Sequence, residues 1–250
     1  MHLFIHIGDH KTGTTSIQAF LRRRAGELAA SGIYIPIAGT NSANPGHHNL
    51  PFQLIGVKQL NQRDGGLDEL LAELRHCRLP RGVISSEEFS HLVVLPEGLK
   101  VLESSLREEG HTLSWLMFLR RVDDYSESLY CEMVRSGIPP RHGYPGMALT
   151  FLLRGRYRYK FCDYGAFVRQ WRSLSASPLH LYDYDLAVSR EGLLACFLAA
   201  IGAPASLIEA SNAPPVLNRR HEQITRHFRR VFRPLLMARF HRSNQRALNS

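Results

Sequence analysis

Three short stretches carry side chains suited to anion and proton chemistry. The first, residues 8–16, reads GDHKTGTTS, with the apolar run Leu3-Phe4-Ile5-His6-Ile7 before it and a helix-patterned stretch, 17–28, after it. A strand, a glycine-containing turn and a helix in that order aim backbone N–H groups and a helix N-terminus at one point, where a phosphate or sulfate binds. The second is Val83-Ile84-Ser85-Ser86-Glu87-Glu88-Phe89, a β-branched strand that ends in two acids. A carboxylate at a strand's carboxyl end is placed to take a proton from a nucleophile. The same residues also fit a helix start, with Ser86 as cap and both acids in the first turn. In the third, a strand through Trp115 and Leu119 ends in Arg120, and Ser128 follows eight residues later, two turns into the next helix. A guanidinium forks onto phosphate oxygens and a hydroxyl adds a donor; a surface pairing of the arginine with Asp123 or Asp124 is the alternative.

Histidines complete the inventory. His10 lies inside the first loop, and His47-His48 sit in Pro45-Gly46-His47-His48-Asn49-Leu50. Such a pair is either solvated and silent, or else brings His48 to a reacting group as an acceptor ligand or alternative base.

Apolar and helix-like segments alternate along the chain, which predicts parallel strands with crossover helices on both faces. The expected strands are 3–7, 32–36, 82–86, 113–119 and 179–182; the expected helices are 15–30, 67–77, 97–109, 123–135, 164–173 and 191–201. Residues 38–51 and 136–147, rich in Gly, Pro, Asn and His, read as long loops. Ligands of such sheets bind outside the carboxyl ends of the strands, so the three stretches share one edge.

At 250 residues, with 44% hydrophobic and 21% charged side chains, the chain suits one soluble α/β domain. Cys77, Cys131, Cys162 and Cys196 show no CxxC or other metal spacing, so neither a disulfide framework nor a metal centre is expected. The first strand begins at once after Met1, and the most apolar stretch, 192–208, is broken by Gly202 and Pro204; a cytoplasmic, plausibly bacterial protein is the expectation. The net charge of +9 gathers at the end, where 219–250 carries nine arginines and one acid, Glu222. Ile224, Phe228, Val231, Phe232, Leu235 and Leu236 give that segment an apolar face, with a break at Pro234. It reads either as a helix docked on the core or as a surface for an anionic acceptor or lipid headgroups. Nucleic acid is not expected, because no exposed aromatics interleave the charge.

The first loop resembles a Walker A loop in the spacing of Gly8 and Gly13, but the lysine lies inside it at Lys11, and Thr14-Thr15 follow where Lys-[ST] would stand. Lys-Thr-Gly-Thr-Thr after the first strand more closely resembles the 5′-phosphosulfate loop of sulfotransferases that use PAPS, 3′-phosphoadenosine 5′-phosphosulfate. Arg120 with Ser128 resembles that family's 3′-phosphate motif, and Asn218-Arg219-Arg220 lies where the family often has a basic closing loop. Asp163-Tyr164 through Trp171 is similar to a helix of the family, and the likeness extends over about residues 3–220.

The resemblance implies one three-layer domain with a P-loop-like parallel sheet, its core at 1–218 and a basic segment at 219–250. It implies sulfuryl transfer from PAPS, with PAP as product and no metal, to a hydroxyl or, second, an amine; the His-rich loop and the basic tail suggest a carbohydrate, glycolipid or other anionic acceptor. His10, Lys11, Thr12, Gly13, Thr14, Thr15, Ser16, Arg120, Ser128, Arg219 and Arg220 would bind the nucleotide. Lys11 would also offset charge on the bridging oxygen, and Glu87 would be the base, with Glu88 and His48 in reserve. The basic tail would add peripheral membrane contact. A P-loop kinase, with Asp183 as its metal acid, and a non-catalytic binder of anionic glycans or lipids are the alternatives.

Overall fold

β1 (His2–Ile7) is the middle of a five-stranded, all-parallel sheet in the order β2-β3-β1-β4-β5. The other strands are β2 (Ile33–Tyr34), β3 (Arg81–Ser86), β4 (Thr112–Leu119) and β5 (Leu179–Asp183). The computed structural model describes residues 1–8, 12–41, 43–57, 60–135, 163–210, 237 and 244–247, without the side chains of 129–135 and 210. His10, Lys11, Arg219, Arg220, the expected loop 136–147 and nearly all of the basic segment lie outside the described residues.

Alternation along the strands divides the core into two layers. Leu3, Ile5, Ile7, Ile84, Trp115 and Met117 face α3 (Asn49–Ile55), α4 (Leu67–His76), α5 (Pro96–Glu108) and α7 (Tyr164–Leu174). Val83, Leu116 and Phe118 face α1 (Thr14–Arg23), α2 (Ala25–Ala30), α8 (Tyr184–Arg190) and α9 (Leu193–Ala200). α6 (Val122–Arg135) follows β4, and α10 (Ala205–Ala210) closes the second layer through Leu207. Helices therefore cover both faces, as the alternating pattern predicts.

The chain leaves β1 toward β2 but crosses back from β3 to β4, so the winding reverses at β1. That reversal separates the connecting segments at the carboxyl ends of β3, β1 and β4 and opens a crevice there. Registers of Ile7 with Ser86 and with Met117 bring the ends of β1 and β3 level, while β4 runs on to Leu119.

Several elements depart from the expectations, among them α10, which no expected helix covers. The helix expected at 15–30 is two helices, broken where Arg24 leaves helical geometry (φ −103°, ψ 17°) two residues before Gly26, a weak helix former. β2 stops at Tyr34, because Pro36 has no N–H and the Ile37 and Ala38 N–H groups donate to the Glu73 carboxylate (2.9 and 2.8 Å). Helix α3 begins inside the expected loop 38–51; Pro51 sits within its first turn, where no N–H is needed, and Gly56 ends it at φ 72°. α8 was not expected from the sequence; Asp183 caps it by accepting the Leu186 N–H (2.9 Å).

Of the basic segment, residues 244–247 are described and form a helical turn on the core. Ala247 is buried in the first layer, and Asn244 Oδ1 accepts the Tyr164 N–H at the start of α7 (2.9 Å). Among the described residues no helix is long and apolar enough to cross a membrane.

Candidate active site

The loop after β1 is built by two close approaches. Gly8 N–H donates to Ser86 O (3.3 Å), continuing the β1–β3 pairing by one residue, and the Gly8 Cα lies against Thr14 so tightly that a Cβ would fall 2.7 Å from Thr14 Cγ2. Gly13 then starts α1 at φ 75°, a left-handed conformation that a side chain resists, with Leu193 filling the space a Cβ would need. Its carbonyl accepts the Ser16 and Ile17 N–H groups (2.9 and 3.2 Å). α1 has no acid in its first turn, so no carboxylate of its own offsets its positive end. Thr12 and Thr14 are buried, whereas Thr15 and Ser16 are exposed at the helix start.

On the β3 side, the helix-start reading of the acid pair matches the turn that follows the strand. Ser86 caps the 3-10 turn Glu87–Val93 through Oγ, which accepts the Glu88 N–H (3.2 Å), and Glu87 stands at the carboxyl edge of the sheet. The two acids part ways there. Glu88 pairs with His91 (3.2 Å), while Glu87 Oε2 accepts from Gln18 Nε2 (3.1 Å) and lies 3.8 Å from His48 Nδ1.

The histidine pair is not solvated. His47 and His48 are 1% and 8% exposed, and each is tied to the end of β3. His47 donates from Nε2 to Pro36 O (3.0 Å) and accepts the Ser85 N–H at Nδ1 (3.1 Å), while its own N–H donates to Ser85 O (2.8 Å). Burial pushes it down to about 4, so it serves as a neutral strut. His48 lies between Asn44 Oδ1 and Ser86 Oγ, both at 2.9 Å. Asn44 Oδ1 also accepts the Gly46 N–H (3.2 Å), and Ser86 Oγ already accepts from Glu88. The consistent assignment has His48 Nε2–H donating to Asn44 and Ser86 O–H donating to His48 Nδ1. Beneath them His6, packed edge-on against Phe118 and Phe197, bonds Ser85 Oγ through Nδ1 (2.9 Å), and burial pushes it down to about 3. A small pocket of about 160 Å³ opens beside Glu87, walled by Asn41, Asn44, His48, Asn49, Phe52 and Asp64. A larger cleft of about 500 Å³ lies at the opposite edge, near His2, Cys77 and His111, away from these groups.

On the β4 side, the Arg120 guanidinium lies over the Tyr184 ring, 5.3 Å from its centroid. It is Arg121 that pairs with Asp123 (2.9 Å), and its N–H donates to Asp185 Oδ2 (3.0 Å). Burial pushes the Tyr184 phenol and the Asp185 carboxyl up, and the charge of Arg120 opposes both shifts. Tyr184 Cε2 also lies 3.7 Å from the space above Gly13, so one ring touches both sides of the crevice. Ser128 is half-buried on α6.

The structure thus gathers Gly8, Thr12, Gly13 and Thr14 with Glu87 and His48 at one sheet edge, and puts Arg120 across β1 from them. Sequence reading missed Gln18, Asn44 and Tyr184. Only Gln18 left a clear signal, as an amide on the apolar face that α1 shows through Ile17 and Leu21.

No family model matches the chain, and no curated protein matches it in sequence. Ten chains of solved structures match, among them a mouse sulfotransferase, SULT7A1, complexed with PAP. That match has a TM-score of 0.48 and 12% identity, and it covers 100% of this chain and 85% of the other.

Proposed function

We propose that this chain is a sulfotransferase that moves a sulfuryl group from PAPS to a hydroxyl of a carbohydrate or glycolipid. One observation carries the reading: the start of α1, which follows the central strand, is flanked at the same edge by a carboxylate just after β3 and a guanidinium just after β4. The groups present fit the donor. The start of α1, which carries no acid in its first turn, suits the phosphosulfate, and Gly13 at φ 75° makes the turn into it. Arg120, braced by Tyr184, suits a second phosphate at a distance from the first, with Ser128 adding a hydroxyl.

Bound PAPS supplies an activated sulfuryl group. The protein's part is to orient it and to handle charge and protons. Lys11 and the N–H groups at the start of α1 offset the charge that grows on the bridging oxygen. Glu87 takes the acceptor's proton, a role worth about 10²–10⁴-fold in rate. His48, with both ring nitrogens engaged by Asn44 and Ser86, stands beside Glu87 as an orienting group in preference to the base. Asp183, the acid a kinase would use for its metal, is committed to capping α8. The arginine-rich segment 219–250 supports peripheral contact with anionic lipid in the cytoplasm, as part of the same reading.

Thermal stabilisation by PAP, compared with ATP and AMP with and without Mg²⁺, tests this. A ligand of the native state at about 100 times its Kd adds roughly 2.7 kcal/mol. For a chain of this size that is a rise in Tm of about 5–11 °C. The rise is expected with PAP alone and without metal; a rise with Mg²⁺-ATP only would overturn the reading in favour of a kinase.

A further inference from the structure

Gln18 is 2% exposed, on the apolar face of α1. An amide so placed costs stability unless its hydrogen bonds are made. Its Nε2 donates to Glu87 Oε2 (3.1 Å) and reaches the Ser85 carbonyl at 3.5 Å. The fold makes room for it. The Gly46 Cα lies so close that a Cβ there would sit 2.6 Å from Gln18 Nε2 and would also strike His48 Nε2. Gln18 lies four residues after Thr14, hence on the same face of α1 and one turn below the anion loop.

Glu87 is therefore gripped on one oxygen. Oε2 has the Gln18 amide and, at 3.8 Å, the His48 ring, while Oε1 has no hydrogen-bond partner among the described residues. We propose that Gln18 is a positioning residue that holds Glu87 with Oε1 turned to the acceptor, and that ties the base on the β3 side to α1, the helix on which Gln18 rides. This rests on the sulfuryl-transfer reading. In that step the acceptor's proton passes to Glu87 Oε1 as its oxygen bonds sulfur, and the electron pair of the donor's bridging S–O bond leaves on the phosphate of PAP. Gln18 touches none of these atoms and acts through Glu87.

The test is a double-variant cycle of Gln18→Leu and Glu87→Gln, with Gln18→Met in place of Gln18→Leu should the latter not fold. Turnover is read with labelled PAPS and octyl glucoside as acceptor, and as sulfate released to water; PAP binding is read by thermal shift. Gln18→Leu is expected to lower kcat about 10–100-fold, part of the range a general base supplies, with KM for PAPS and the PAP shift unchanged. The double variant is expected to be no slower than Glu87→Gln alone, since groups acting as a unit are not additive. Additive losses, wild-type kcat in the Gln18 variant, or a lost PAP shift would each overturn the assignment. A wild-type protein with no PAP shift or no turnover of PAPS fails the functional reading instead.

Discussion

Lowering the pH from 7.5 to 5 should destabilise this protein far more than surface titration would. His6 and His47 grip Ser85 from two sides, and burial takes them to about 3 and about 4 from an ordinary 6.5. The unfolded chain therefore binds protons near pH 6.5 that the native chain refuses until pH 3–4. Stability from these neutral rings is complete above pH 6.5 and drains as pH falls toward 4. At pH 5 each group stands about 1.5 units below its unfolded value, a loss of roughly 2 kcal/mol apiece and about 4 together. That corresponds to a fall in Tm of about 8–16 °C for a chain of this length. Differential scanning fluorimetry at pH 7.5, 6 and 5 measures it. His47→Gln, which keeps an acceptor and a donor, should remove about half of the pH-dependent drop. A Tm unchanged between pH 7.5 and 5, or a drop of the same size in His47→Gln, would refute the claim that these rings are buried neutral.

Other consequences are as specific. Lys11→Ala should abolish turnover without changing the far-UV circular dichroism, and retained turnover would remove the lysine from the mechanism. Arg120→Ala should weaken PAP by roughly 10–150-fold, the loss of charged hydrogen bonds worth about 1.5–3 kcal/mol, while barely changing AMP affinity; equal losses for both nucleotides, read by titration calorimetry, would contradict a 3′-phosphate role. Asn244→Ala should lower stability by about 1 kcal/mol in urea unfolding, the usual value of a lost helix cap, and no change would mean that the 244–247 turn is not docked in solution.

The sheet was legible because its strands carry short, mostly apolar runs between helix-patterned segments: 82–86 and 113–119 were placed within a residue of β3 and β4. β2 was over-read because what ends it, the Glu73 carboxylate on α4, is a partner from a distant helix. Helix α3 was hidden by Pro51, which reads as a loop former until its place in a first turn is known. The candidate site was legible as positions and not as contacts. Glu87, set before Glu88 on the resemblance alone, differs from it physically in meeting Gln18 where the other meets His91. The histidine pair gave no hint of burial, because part of its shielding comes from Pro36 and β3, which lie outside its own segment. Tyr184 belongs to a helix that the spacing of apolar residues does not announce.

Glu73 does more than end β2. Open sheet edges invite other chains, since a row of unpaired donors is a template for a further strand. Here the edge strand is two residues long, and the next available donors, Ile37 and Ala38, are occupied by one carboxylate that also accepts the Tyr34 hydroxyl (3.0 Å). Ile37 is left exposed beside it, an apolar side chain with no backbone N–H on offer to align a partner strand. A single acid thus guards the β2 edge of the sheet against templating a further strand.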